Sequence, residues 1–190
     1  MAGPNLSQLK FLVVEDDPHM SSLVAKLVGE LGVKDLVTVS EGGEALRMML
    51  VFAPDIVISD WQMQPMDGIE MVKRIRQGEG GINRFVPVIM LTVHTERHRV
   101  REARDAGVNE FIAKPVSVRA LYARIHQLIE RPRAFVHTDE YFGPDRRRKQ
   151  MPFKGPNRRS VMPWGHIDET KGAGLPKPPQ PPSLGGKKRG

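Results

Sequence analysis

Residues 54–68 read Pro-Asp-Ile-Val-Ile-Ser-Asp-Trp-Gln-Met-Gln-Pro-Met-Asp-Gly. The β-branched run Ile56-Val57-Ile58 is bounded before by Pro54 and after by a loop rich in proline and glycine. That is the pattern of a parallel strand buried on both faces. The run closes on Asp60. A carboxylate where a buried strand ends is costly unless an opposite charge or a metal compensates it. Open α/β sheets also place their sites at the carboxyl ends of strands. Asp60 is therefore either a structural cap on its loop or a reacting group, and the choice turns on what the other strands bring beside it.

Four more strands of the same kind alternate with helices through residue 130. Leu9–Val14 is apolar throughout and ends in Glu15-Asp16-Asp17-Pro18. Pro18 suits a first helical turn and Asp17 can cap it. Met20, Leu23, Val24, Leu27, Val28 and Leu31 follow at helical spacing and stop at Gly32. Leu36–Val39 is a second strand, and Gly43–Phe52 a helix with Ala45, Leu46, Met49 and Leu50 turned inward. After the Asp60 strand come a helix over Gly68–Gln77, a strand over Val86–Leu91 ending at Thr92, and a polar helix over Thr95–Ala106. Glu110–Ala113 is a short fifth strand ending at Lys114-Pro115, and Ser117 caps a last helix reaching Ile129.

Five β-α units imply an α/β, doubly wound fold with a five-stranded parallel sheet. Right-handed crossovers and the strand order 2-1-3-4-5 put strands one and three side by side at the switch point. Glu15 and Asp16 then lie beside Asp60, and Thr92 and Lys114 end the two strands on its other side. Three carboxylates at close range repel and would push a pKa upward. An oxygen-seeking divalent cation removes that penalty, and magnesium favours oxygen ligands with a phosphate partner. The ligand set read from these residues is Asp16 and Asp60 directly, Glu15 through water, and the backbone carbonyl of Gln62. A free Asp60 oxygen can then attack a phosphoryl group. Lys114 would neutralise one phosphoryl oxygen and Thr92 hydrogen-bond another. The phosphoryl chemistry ends on the protein itself, so the sequence does not read as an enzyme.

The stretches Val-Val-Glu-Asp-Asp at 13–17 and Val-Ile-Ser-Asp-Trp-Gln-Met-Gln-Pro-Met-Asp-Gly at 57–68, with Thr92 and Lys114-Pro115, resemble the CheY-like receiver domains of two-component response regulators. The resemblance covers roughly residues 8–130. It implies phosphorylation of Asp60 by a histidine kinase. It also implies that Thr92 and an aromatic residue at position 111 report the event to the face built by the fourth helix, fifth strand and fifth helix. Two positions depart from the family pattern. Phe111 stands where tyrosine is common, so an inward rotamer has no hydroxyl to place. Val93 follows Thr92 where a smaller residue is usual, which would narrow access to the phosphoryl site.

Charge divides the chain. Residues 131–190 hold 14 lysines and arginines against 5 carboxylates, whereas residues 1–130 hold 15 against 17. The last 60 residues also carry 10 of the 16 prolines and little aliphatic residue. Such a segment cannot bury enough apolar surface to fold alone. The sequence therefore divides into a receiver domain over 1–130 and a basic, largely disordered tail over 131–190. With no cysteine, no signal pattern and no long apolar run, a cytoplasmic protein without membrane insertion is expected.

The tail repeats itself. Gly143-Pro144-Asp145-Arg146-Arg147, followed by Arg148, returns as Gly155-Pro156-Asn157-Arg158-Arg159 at an interval of 12. Gly-Pro followed by Asp or Asn favours a turn that presents two arginines. Arginine reads the O6/N7 edge of guanine, stacks on purines and pairs with phosphate. Asp145 and Asn157 can accept from guanine N–H groups, and Phe142, Phe153 and Trp164 offer either stacking surfaces or apolar anchors back onto the body. Two similar half-sites suit a two-fold symmetric dinucleotide with two guanines and two phosphates. This tail on this body resembles the Cle group of CheY-like proteins, which bind cyclic di-GMP through an arginine-rich extension and act on the flagellar motor. The resemblance implies a stand-alone response regulator whose tail binds cyclic di-GMP. It would dock on a motor switch protein through the face of the fourth helix, fifth strand and fifth helix. The alternatives are a tail that holds nucleic acid phosphates, with steep salt dependence, and a plain phosphoryl shuttle with an inert tail.

Overall fold

A computed structural model of the chain describes residues 4–93, 96–138, 140–147 and 160–162, the last three as backbone. The parallel sheet is built from β1 (Lys10–Val14), β2 (Asp35–Val39), β3 (Ile56–Asp60), β4 (Val88–Thr92) and β5 (Glu110–Ala113). They are ordered β2-β1-β3-β4-β5, as the alternation of elements predicts. The register places Val14 opposite Ser59, Asp60 opposite Leu91 and Thr92 opposite Ala113. The carboxyl ends of β1, β3, β4 and β5 therefore meet at one edge.

Five helices cover the two faces: α1 (Pro18–Glu30), α2 (Gly42–Phe52), α3 (Gly68–Gln77), α4 (Arg97–Ala106) and α5 (Val118–Glu130). One core lies under α2, α3 and α4 and includes Leu12, Val57, Met71, Ile75 and Met90; the other lies under α1 and α5 and includes Phe11, Val24, Ile58, Leu91 and Ile125. All five residues of β3 and of β4 are buried, as two-sided burial requires. The Asp17 carboxylate accepts from the Met20 N–H at 2.8 Å and caps α1, with Pro18 in its first turn. Ser117 caps α5 in the same way. Leu50, expected to face inward, is 51% exposed, and Leu23 of the apolar series in α1 is 43% exposed. Val24, Val28, Leu46 and Met49 fill the inward stripes of α1 and α2, which leaves both leucines at the margins.

The chain beyond α5 does not simply leave the body. β6 (Phe135–His137) and β7 (Phe142–Pro144) pair as a hairpin, and β8 (Ser160–Met162) pairs with the other side of β6. Both pairings are antiparallel. Thr138 and Tyr141 close the hairpin through reciprocal backbone hydrogen bonds. Phe135 is fully buried and Val136 nearly so. The rings of Phe85, Phe135 and Phe142 meet edge-on or tilted with centroids 5.2–5.5 Å apart. The Arg131–Pro132 boundary is thus a change of topology but not of packing. Gly143 and Pro144 lie in β7, not in the expected turn; the turn falls at Asp145, whose Oδ1 accepts from the Arg147 N–H at 3.0 Å.

Beneath this hairpin lies Arg76, an arginine that sequence reasoning passed over. It is buried at the end of α3. Its guanidinium donates to the carbonyls of Gly107, Arg84 and Val86 and to Asn109 Oδ1, all within 3.0 Å. Four neutral acceptors replace the water that a buried cation gives up. Burial still pushes its pKa down to about 9.

Candidate acidic phosphoacceptor site

Each residue of the site is set by a strand end. Glu15 and Asp16 follow β1, and the Glu15 N–H donates to the Val39 carbonyl at 3.1 Å. Asp60 closes β3, and the next N–H, from Trp61, donates to the Leu91 carbonyl at 3.1 Å. Lys114 follows β5, and its N–H donates to the Thr92 carbonyl at 2.8 Å. Gly68 returns the loop after β3: its N–H reaches the Trp61 carbonyl, and a Cβ there would run into the Asp60 carbonyl oxygen. A residue without a side chain is needed for so close an approach.

The carboxylates of Glu15, Asp16 and Asp60 each place an oxygen within 4.8 Å of the others. Glu15 and Asp60 are buried and Asp16 is exposed, so the cluster opens to solvent on one side. The Lys114 ammonium lies 3.0 Å from Glu15 Oε2 and 2.9 Å from Asp60 Oδ1. Burial raises the Glu15 pKa above its ordinary value and the Asp60 charge adds to this, while Lys114 works against both. Burial opposes the Lys114 charge, but its hydrogen bonds to Asp60 and Glu15 outweigh burial and hold the ammonium above its usual range.

Three clustered hard oxygen donors with one open side suit a small divalent cation such as Mg2+, which keeps part of its water shell. Thr92 is buried at the end of β4. Val93 stands at the rim, 59% exposed. Gln62 lies two residues beyond Asp60 and is exposed between the buried Trp61 and Met63. Phe111 is half-buried and packs against the core under α2, α3 and α4.

The tail residues are placed differently. Arg146 is an anchor on the body, with its Nη1 2.8 Å from Asp105 Oδ1 of α4 and its guanidinium 3.9 Å from the centre of the Tyr141 ring. The Asp145 N–H continues the hairpin ladder to the Ala134 carbonyl at 2.7 Å. Arg147 follows in the same turn. Arg148, Asn157, Arg158, Arg159 and Trp164 lie outside the described residues. Sequence reasoning also missed the Arg84 guanidinium, 3.4 Å from the centre of the Phe142 ring. The only signal for these contacts was the aromatic content of a stretch otherwise basic and proline-rich.

A buried aspartate at the switch point of a five-stranded doubly wound sheet, with two acidic neighbours and a paired lysine, defines a phosphoryl-accepting signalling domain. The chain belongs to the response regulator receiver domain family, whose model matches residues 11–126. It is 34% identical over 123 residues to the chemotaxis protein CheY-3 of Vibrio cholerae serotype O1, an alignment covering 65% of this chain and 93% of that protein. It is 31% identical to the chemotaxis protein CheY of Pseudomonas aeruginosa, covering 65% and 98%. The crystallised V. cholerae CheY4 superimposes with a TM-score of 0.58 at 28% identity, covering 63% of this chain and 97% of that one. The receiver domain of a sensor histidine kinase from P. aeruginosa, solved with a magnesium ion coordinated in its active site cleft, gives 0.55 at 29% identity and covers 66% and 96%. Among the described residues no helix is long and apolar enough to cross a membrane.

Proposed function

We propose that the chain is a magnesium-dependent response regulator phosphorylated on Asp60 by a histidine kinase. Its arginine-rich C-terminal segment binds cyclic di-GMP and thereby controls docking on a target such as the flagellar motor switch. The observation that carries the first part is the Lys114 ammonium held 2.9 Å from an Asp60 oxygen inside the carboxylate cluster. A divalent cation held by Asp16, Asp60, Glu15 and the Gln62 carbonyl would neutralise charge on the carboxylates and on an incoming phosphoryl group. Asp60 attacks phosphorus, the P–N bond of the donor phosphohistidine breaks, and its electron pair stays on the imidazole. Lys114 and Thr92 accompany the transferred oxygens. The likeness to chemotaxis proteins supports a target of that kind. So does the face of α4, β5 and α5, which presents Arg97, His98, Arg101, Arg119 and Tyr122 to solvent and fits an acidic partner.

Two measurements test the reading. Acetyl phosphate with Mg2+ should phosphorylate the full chain, and Asp60→Asn should abolish the product on a phosphate-affinity gel; labelling that survives the substitution overturns the site. Calorimetric titration of cyclic di-GMP into the full chain should give micromolar or tighter binding (~8 kcal/mol). Arg158→Ala should remove it, and GTP and a short RNA should not reproduce it. Equal binding of all anions, fading together with salt, replaces the ligand with nucleic acid.

A further inference from the structure

We infer that the hairpin β6–β7 is a brace on α4, and that its docking strengthens cation and phosphoryl binding at Asp60. The inference rests on the reading of Asp60 as phosphoacceptor. Of its ten residues α4 buries Ala103 and Ala106, whereas α3 buries Ile69, Met71, Val72 and Ile75 and α5 buries Leu121, Ile125, Leu128 and Ile129. Two alanines remove little apolar surface from water. A helix this short does not hold in water without tertiary contacts. Beyond its packing against α3, what secures α4 lies at its two ends.

At one end Arg99 places its guanidinium 6.0 Å from the centre of the Trp61 ring, and Trp61 is the residue after Asp60. At the other end the hairpin takes hold. Arg146 pairs with Asp105 at 2.8 Å. Gly143 packs so tightly that an added Cβ would lie 3.1 Å from the Gly107 Cα. Below them the Gly107 carbonyl accepts from Arg76 Nε at 3.0 Å, and Phe135 covers that guanidinium at 5.2 Å. The helix thus runs from the loop that follows the phosphoacceptor to the C-terminal extension. An extension that orders α4 in advance removes part of the ordering cost that a ligand at Asp60 would otherwise meet. The coupling is reciprocal, so a ligand at Asp60 also steadies the hairpin.

The test uses the full chain carrying Trp164→Phe, which leaves Trp61 as the only tryptophan. Mg2+ affinity is read from Trp61 fluorescence, and hydrogen exchange is followed over residues 97–106 and 135–144. Gly143→Val sets a side chain against the Tyr141 hydroxyl oxygen, 2.5 Å from the new Cβ. Asp105→Arg breaks the ion pair while placing a charge that the end of a helix favours, so it strikes the contact and spares the helix. Both are expected to speed exchange in the two segments and weaken Mg2+ binding about threefold or more. Asp105→Arg with Arg146→Asp should restore both readouts. Faster hairpin exchange with Mg2+ affinity unchanged within about 1.5-fold overturns the coupling. A parent chain with no Mg2+ response at all overturns the phosphoacceptor reading beneath it.

Discussion

The guanidinium carbon of Arg76 lies 5.2 Å from the centre of the Phe135 ring. The first residue belongs to α3 and the second to the extension, 59 positions later in the chain. Their contact makes the hairpin part of the receiver's interior. Phe135→Ala should therefore destabilise the chain by about 3–5 kcal/mol, the cost of removing a fully buried ring. A chain cut after Glu130 should unfold in less urea than one cut after Arg147. Urea denaturation of both truncations checks this, and equal midpoints would mean that the hairpin contributes nothing to the fold.

The strands and their order were legible because β-branched runs ending in polar residues are a local signal, and the alternation with helices leaves few topologies. The site was legible for the same reason: Glu15, Asp16, Asp60, Thr92 and Lys114 all stand at strand ends. Arg76 was not legible. At the C-terminal turn of a helix, beside Arg74 and Gln77, it reads as a solvated cation. Its burial depends on the carbonyls of Arg84, Val86 and Gly107, on Asn109, and on a ring from a segment whose composition argues for disorder. The hairpin was missed because three-residue strands carry no periodicity. Phe135, Val136 and Phe142 acquire a core only when Phe85 arrives from elsewhere in the chain.

Gly68→Ala should injure the site without touching a carboxylate. The new Cβ would press on the Asp60 carbonyl oxygen and approach the Met90 sulfur to 3.1 Å. Overpacking of this kind costs about 1–3 kcal/mol. Because the displaced backbone belongs to Asp60, the rate of acetyl phosphate labelling should fall more than stability alone accounts for. Labelling at full rate in a destabilised chain would show that the Asp60 backbone does not need this contact.

Lys114→Met should leave Glu15 and Asp60 buried together without their cation. Breaking one side of a buried ion pair costs about 3–5 kcal/mol. Mg2+ supplies the missing charge, so the loss measured by thermal denaturation in EDTA should shrink when Mg2+ is added. A loss equal in both conditions would place the cation elsewhere than among these carboxylates.

The raised pKa of Glu15 gives the last prediction its sign. Burial, with help from Asp60, makes this carboxyl harder to ionise in the folded chain than in the unfolded one, whose value is near 4.5. The folded state then binds its proton more tightly. The contribution of Glu15 to stability is highest below 4.5 and falls as pH rises through the folded pKa. A cation bound at the cluster favours the ionised form and cancels that fall. The stabilisation that Mg2+ confers should therefore grow as pH is raised from 4.5 toward neutrality, and Glu15→Gln should flatten its dependence on pH. Thermal denaturation at fixed Mg2+ across that range reads the slope. A Mg2+ effect independent of pH in the unsubstituted chain would mean that the cation binds away from Glu15.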